Sequence, residues 1–221
     1  MTERSILITG CSSGIGLASA RKLKARGWRV LATARKAEDV QRLKEEEGVE
    51  ALSLDLADAA SVAACAEEAL RRTDDQLYAV FNNSAFAQVG AVEDLSAELF
   101  RRQLEVNVVA THELTRRVVP SMRRNGEGRI VQCSSVLGFV AGPFRGAYCA
   151  SKFALEALSD SMRLELRDTG IRICIIQPGP IYSRFIESAL ANFKQTIDID
   201  NSPHRELYFA RLKLMEAGGQ K

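Results

Sequence analysis

Tyr148 and Lys152 stand at positions i and i+4, and a serine pair, Ser134-Ser135, precedes them on a separate stretch of chain. On a helix, side chains four apart share one face. An ammonium beside a phenol favours the phenolate, because an opposite charge stabilises the ionised form. The spacing therefore predicts a Tyr148 hydroxyl drawn from its ordinary pKa of about 10 toward neutrality, where it can give and take a proton. The Ser135 hydroxyl can hydrogen-bond the same reacting oxygen. A phenol, an ammonium and an alcohol so arranged suit the interconversion of an alcohol and a carbonyl. The same Tyr-Lys spacing also occurs as a solvated helical pair, so the reading depends on the elements that hold it.

The start of the chain has the pattern of a nucleotide-binding turn. Ser5-Ile6-Leu7-Ile8-Thr9 is a short apolar run that reads as a buried strand. It leads into Gly10-Cys11-Ser12-Ser13-Gly14-Ile15-Gly16, and a helical pattern follows through Leu17, Ala20 and Leu23 to a stop at Gly27. On a strand-to-helix turn, Gly10 permits a tight bend, Gly14 a close backbone approach to a pyrophosphate, and Gly16 packing of helix on strand. The helix start offers unpaired N–H groups and partial positive charge to phosphates. Ser12 and Ser13 add hydroxyl donors. A glycine-rich turn with no ligand is the alternative; its position between a buried strand and a helix favours the ligand.

The strand pattern at 29–34 ends at Arg35-Lys36. In a dinucleotide fold this end meets the adenosine ribose, where an acid would accept from the 2′-hydroxyl and repel a 2′-phosphate. Ala34 is neutral, Arg35 and Lys36 are cationic, and a guanidinium's planar fork suits phosphate. NADP(H) is thus expected in preference to NAD(H), with NAD(H) still usable. The alternative makes both cations the start of a solvated helix.

Strand patterns occur at 5–9, 29–34, 49–54, 77–82, 129–134 and 171–177, and helical patterns at about 15–26, 37–46, 59–72, 97–124 and 147–168. Such alternation predicts an α/β fold, a doubly wound, Rossmann-like parallel sheet of six strands in one domain spanning 1–221. Ligands of such sheets bind beyond the carboxyl ends of the strands. Gly10, Arg35, Asp55, Asn82, Ser135 and Pro178 all follow strand patterns directly, which brings the turn and the proton-transfer group to one edge. Residues 184–215 mix Phe193, Tyr208, Phe209 and Leu212 with charge, as an amphipathic substrate-binding lid would. Leu137, Phe139, Val140, Phe144, Phe185 and Ile186 flank the site and suggest a hydrophobic small-molecule substrate, although a core or a lid would use the same residues.

With 30 basic and 28 acidic residues and a net charge of +2, no basic cluster points to nucleic acid. No apolar run is long enough to cross a membrane and no leader pattern is present. The five cysteines, Cys11, Cys65, Cys133, Cys149 and Cys174, are scattered. Their spacing argues against a disulfide frame or a metal site and suits reduced thiols in a cytoplasm. His112 and His204 stand far apart with no ligand partners at metal spacing.

With these residues in view, the chain resembles the short-chain dehydrogenase/reductase family, in its single-domain, soluble branch. Thr9-Gly10 through Gly14-Ile15-Gly16 resembles the family's cofactor turn, and Asp55-Leu56 its adenine-contacting pair. Asn82-Asn83-Ser84-Ala85 is similar to the family's Asn-Asn-Ala-Gly segment, with Ser84 offering an extra hydrogen bond and Ala85 replacing a glycine. Asn107 resembles the helix asparagine that orients the catalytic lysine through water. Ser135, Tyr148 and Lys152 resemble the catalytic serine, tyrosine and lysine. Pro178-Gly179-Pro180-Ile181-Tyr182-Ser183 resembles the segment bordering the nicotinamide amide. Thr33-Ala34-Arg35, and Ser183-Arg184-Phe185 after that segment, are similar to steroid-, retinol- and aldehyde-type reductases. The resemblance spans most of the chain, in family order. Members usually carry one more strand and helix, and no apolar run resembling a final strand follows Ile197. Either the chain is truncated or the sheet lacks an edge, which leaves 171–177 outermost. Members also pair through two long helices, here 97–124 and 147–168, so a homodimer or homotetramer is implied.

The expected activity is hydride transfer between a nicotinamide cofactor and a carbonyl or alcohol. Tyr148 acts as acid, Ser135 holds the oxygen, Lys152 lowers the tyrosine pKa and reaches the nicotinamide ribose, and Asn107 supports Lys152. A nucleotide-binding regulator or scaffold with an impaired site is the rival from another class, favoured by Ala85 and the missing strand. An epimerase or dehydratase is a third reading, opposed by the glycine spacing.

Overall fold

Short β-branched runs punctuated by glycine, and longer runs with helical period, become strands and helices that alternate along the chain as far as β6 (Ile171–Ile176), with α4 (Ala97–Leu104) and α5 (Ala110–Arg124) sharing one connection. The structure, a computed structural model, describes residues 4–181 and 183–216. The strands are β1 (Ser5–Ile8), β2 (Arg29–Ala34), β3 (Glu50–Ser53), β4 (Ala79–Asn82), β5 (Gly128–Cys133) and β6 (Ile171–Ile176). They form one sheet in the order β3-β2-β1-β4-β5-β6, and every pairing is parallel. The order reverses between β1 and β4, which opens the crevice in which such sheets bind ligands. The predicted strands are all present, with ends shifted by up to two residues.

The helices are α1 (Gly14–Lys24), α2 (Ala37–Glu45), α3 (Ala59–Arg72), α4 (Ala97–Leu104), α5 (Ala110–Arg124), α6 (Gly146–Glu165), α7 (Arg184–Thr196) and α8 (Arg205–Glu216). Alternate strand residues point to opposite faces, and both faces are buried. Ile6 and Ile8 of β1 pack with Ala20 of α1 and Leu43 of α2. Leu7 packs with Val62 of α3 and with Leu114 and Val118 of α5. Full burial of such a leucine contributes about 1.5–3 kcal/mol. Three helices carry side-chain caps at their starts: Asp58 accepts from the Ala60 N–H, Ser96 from the Leu99 N–H and Ser183 from the Phe185 N–H.

The segment expected as one helix over 97–124 is continuous but not uniform. A π-helical turn, Glu105–Val109, joins α4 to α5. Such bulges insert one residue into the helical ladder and often sit at functional sites; this one holds Asn107. The segment expected as a lid folds as α7 and α8 around its own apolar cluster, with Phe193, Ile197 and Tyr208 buried. β6 is outermost, with Ile171 and Ile173 buried and Arg172, Cys174 and Ile176 exposed. Residues 217–221 lie outside the described residues.

Candidate active site

The glycine-rich turn has the conformation its sequence asks for. Gly10 and Gly14 have φ of +73° and +59°, a region closed to most residues with a Cβ. A Cβ on Gly16 would stand 2.2 Å from the Gly10 carbonyl oxygen, so only glycine lets α1 pack this closely. Ser13 precedes α1 but makes no side-chain capping hydrogen bond, and the first turn holds no acid. The resulting N-terminus is uncapped and Gly14 is exposed. A cradle of this shape fits the pyrophosphate of a dinucleotide.

Other strand ends complete the edge, some differently from expectation. Arg35 is exposed and takes part in no ion pair among the described residues, whereas Lys36 pairs with Glu38 at 3.1 Å. The Asp55 side chain accepts from the Ala57 N–H at 3.0 Å. Leu56 is buried in the core beside Leu54. The Asn82 side chain is likewise buried and donates to Thr115 Oγ1 at 2.8 Å. Asn83 takes the bracing position instead, donating from Nδ2 to the Thr9 carbonyl at 2.9 Å. The Thr9 hydroxyl oxygen in turn accepts the N–H groups of Asn83 and Ser84. Ser84 lies against Gly10, its Oγ 2.6 Å from where a Cβ there would stand. Ala85 is not among the residues with positive φ, so its methyl group brings no backbone strain.

Ser135, Tyr148 and Lys152 meet at the end of β5. Ser135 and Tyr148 are buried, 8 % exposed each, and Lys152 is 2 % exposed. Ser135 Oγ accepts from the Leu137 N–H at 3.1 Å, which leaves its proton free to donate. The Lys152 ammonium donates to the Cys133 carbonyl at 2.7 Å and lies 5.6 Å from the centre of the Tyr148 ring. Burial lowers the Lys152 pKa to about 8. Burial also pushes the Tyr148 phenol up to about 12, outweighing the hydrogen bond with Ser135 that pulls it down. The direction is opposite to the spacing-based expectation. Helical spacing accounts for the lysine but not for the low-dielectric surroundings, which disfavour both charged forms.

Asn107 does not reach Lys152 directly. Its Nδ2 donates to the Phe86 carbonyl at 3.0 Å and to Ser151 Oγ at 3.1 Å, and its Oδ1 accepts from the Phe86 N–H. Ser151 Oγ donates to the Tyr148 carbonyl at 2.7 Å. The asparagine therefore clamps the loop after β4 to the turn of α6 carrying Tyr148 and Lys152. Beyond β6, the Pro178 carbonyl accepts from the Val136 N–H, Gly179 and Ile181 are exposed, and Ser183 caps α7. Ser183 Cβ would lie 3.3 Å from a Cβ on Gly14, so this segment faces the glycine turn. Tyr182 is outside the described residues.

A family model described as short chain dehydrogenase matches residues 4–193. The chain belongs to the short-chain dehydrogenase family. It is accordingly an oxidoreductase of a family that acts on small molecules with nicotinamide cofactors. It is 47% identical over 186 residues to a protein of Escherichia coli strain K12 named uncharacterized oxidoreductase YbbO, covering 84% of this chain and 69% of that one. It is 35% identical to human 17-beta-hydroxysteroid dehydrogenase type 1 over 90% of this chain and 63% of that enzyme. A short-chain dehydrogenase from Streptomyces avermitilis superposes with a TM-score of 0.78 at 34% identity, covering 82% of this chain and 67% of that one. An alcohol dehydrogenase from the archaeon Thermococcus sibiricus, solved with 5-hydroxy-NADP, superposes with a TM-score of 0.76 at 29% identity, over 84% of this chain and 80% of that one.

Several residues of this short-chain dehydrogenase site carry no motif signal. Arg42 of α2 and Arg184 of α7 both donate to the Ser12 carbonyl, at 2.8 and 3.1 Å. Gln88 is fully buried and ties α7 to the loop after β4 through Thr196 and Asn192. These contacts join residues more than 100 positions apart, except for Arg42 and Ser12, so no local pattern could announce them. The five cysteines are free, and burial pushes Cys11 up to about 12, which makes it a packing residue. No group that could hold a metal occurs among the described residues, and none of their helices is long and apolar enough to cross a membrane.

Proposed function

We propose that the chain is an NADP(H)-preferring carbonyl reductase or alcohol dehydrogenase acting on a hydrophobic small molecule. The observation that carries the reading is the buried hydroxyl pair Ser135–Tyr148 beside the Lys152 ammonium, at the same sheet edge as an open glycine turn. When bound, a nicotinamide cofactor supplies or accepts the hydride. The residues to hold it are Gly10, Ser12, Ser13, Gly14, Ile15 and Gly16 at the phosphates, Arg35 and Lys36 at the adenosine end, and Asp55, Ser84, Gly179, Ile181 and Ser183 along its length. Tyr148, neutral well above pH 7, donates its proton to the substrate oxygen as a general acid. Ser135 donates to that oxygen and fixes it beside the phenol. Lys152 has three donors and spends one on Cys133, so two remain for cofactor hydroxyls. Asn107 keeps α6 in register.

Preference for NADP(H) rests on the exposed Arg35, on the lack of an acid at Ala34, and on the archaeal neighbour solved with 5-hydroxy-NADP. The segment 184–215 serves as the substrate-binding lid of a single catalytic domain. A homodimer through α4–α5 and α6, and a cytoplasmic setting suited to free thiols, complete the proposal. The test is oxidation of NADPH and NADH by the purified chain with a panel of aldehydes and ketones. Turnover with no carbonyl in the panel and no alcohol in reverse would refute it.

A further inference from the structure

Arg184 is the first residue of α7 and follows Ser183, which faces the glycine turn. Its own side chain reaches that turn. Nη2 donates to the Ser12 carbonyl at 3.1 Å, and Arg42 of α2 donates to the same oxygen at 2.8 Å. Two guanidiniums, one from each side, thus meet on a single carbonyl at the rim of the cradle formed by Gly10, Gly14 and Gly16.

The two arginines are not held alike. Arg42 also pairs with the Asp39 carboxylate at 3.0 Å, and both of those side chains are largely shielded from water. Arg184 is exposed and takes part in no ion pair among the described residues, although Glu187 stands one turn further along α7. A guanidinium carries five donors in a planar fork, and the Ser12 carbonyl occupies one of Arg184's. Arg42 already satisfies that oxygen, so the turn keeps its partner if Arg184 moves. Like charges side by side repel, and a phosphate oxygen pairs with a guanidinium more strongly than a neutral carbonyl does.

We propose that Arg184 is a clamp for the cofactor's diphosphate: on binding, its guanidinium leaves the Ser12 carbonyl to Arg42, takes phosphate oxygens in its fork, and draws the start of α7 over the cofactor. This rests on the oxidoreductase reading above. It concerns the diphosphate that NADPH and NADH share, whereas Arg35 is assigned to the phosphate that NADPH alone carries. The diphosphate is the nearer group, because Ser183 Cβ would lie 3.3 Å from a Cβ on Gly14, so the starts of α1 and α7 border one crevice. One residue further on, the Phe185 ring centre lies 5.8 Å from that of Tyr148. Phe193 of the same helix is buried in the apolar cluster that includes Tyr148. The clamp therefore ties the phosphate end of the site to the wall beside the reacting hydroxyl.

The test reads binding and needs no substrate. NADPH, NADH and ADP-ribose, which share the diphosphate, and 2′-AMP, which lacks it, are titrated by calorimetry into the whole chain and into Arg184→Ala. Loss of a charge-assisted hydrogen bond predicts that the variant binds the first three more weakly, each by about tenfold or more, and 2′-AMP as before. Arg184→Lys keeps the charge without the fork and should retain part of the affinity. The weakening of dinucleotide binding by added salt should be smaller in the alanine variant. Amide exchange separates a clamp from a mere prop for α7. Saturating NADPH should slow exchange over 185–190 in the unaltered chain but not in Arg184→Ala, while it protects α1 in both. Unchanged dinucleotide affinity in Arg184→Ala overturns the proposal. So does a loss confined to NADPH, or a loss for 2′-AMP equal to that for ADP-ribose. Failure of the oxidoreductase reading is a different result: no binding of NADPH, NADH or ADP-ribose to the unaltered chain, which removes the clamp along with the cofactor.

Discussion

At the scale of residues, Tyr148 and Lys152 carry opposite consequences of the same burial. Tyr148 is held protonated, as a proton donor must be. Tyr148→Phe should abolish carbonyl reduction while NADPH affinity stays nearly unchanged, since the hydroxyl acts on the substrate oxygen. Fluorescence titration beside a turnover assay checks both halves, and appreciable residual turnover would remove the tyrosine from its role. Lys152 is an ammonium kept where charge is disfavoured. Its folded pKa of about 8 lies below the ordinary 10.5, so the folded chain releases this proton first. Between those values the unfolded chain holds more protons, and stability rises with pH. At pH 7 the difference amounts to about 3 kcal/mol of destabilisation. Lys152→Met should therefore raise the melting temperature at pH 7, with a gain that shrinks toward pH 10.5, and should lose activity. A lower melting temperature at pH 7 would mean the ammonium is stabilised in place. Arg35→Ala should weaken NADPH by about tenfold or more, the size of a charge-assisted hydrogen bond, and NADH far less. Equal weakening of both would dissociate Arg35 from the phosphate.

At the scale of elements, α8 is held by a small buried network rather than by area alone. Tyr208 is 1 % exposed; its hydroxyl accepts from the Ala91 N–H at 2.6 Å and donates to Asp94 at 2.5 Å. Ser202 donates to the same carboxylate. Tyr208→Phe strands a buried N–H, a loss of about 1–3 kcal/mol, in a part of the molecule peripheral to the sheet. Amide exchange in α8 should accelerate while β1 and β4 keep their protection. Uniform acceleration would mean that α8 and the sheet open as one unit. The boundaries of most helices were legible in the sequence from period and breakers. The π-helical turn was not, because Glu105–Val109 reads as ordinary amphipathic helix. What makes the bulge useful is Asn107 reaching Phe86 and Ser151, two partners distant in sequence.

At the scale of the whole molecule, the helices beside the site expose apolar side chains. Phe100 and Val109 are exposed along α4 and the π-helical turn, and Phe153 and Leu158 along α6. Such residues gathered on neighbouring helices suit association, and a homodimer is the expectation. Light scattering should give twice the 24.3 kDa of one chain, and Phe153→Glu should halve it. A monomer at micromolar concentration for the unaltered chain would refute the pairing.

Apart from the π-helical turn, what the sequence itself determined has a short range: the alternation of strands and helices, the turn at Gly10–Gly16, the shared face of Tyr148 and Lys152, and the cationic end of β2. Each depends on the period of the chain or on the conformational freedom of glycine, which neighbouring residues settle. Packing decided the rest. It buried Leu56, turned Asn82 to Thr115, put Asn83 in the bracing position and drove the Tyr148 pKa up rather than down. Burial and charge proximity are properties of three-dimensional neighbourhoods, and residue spacing along a chain does not encode them.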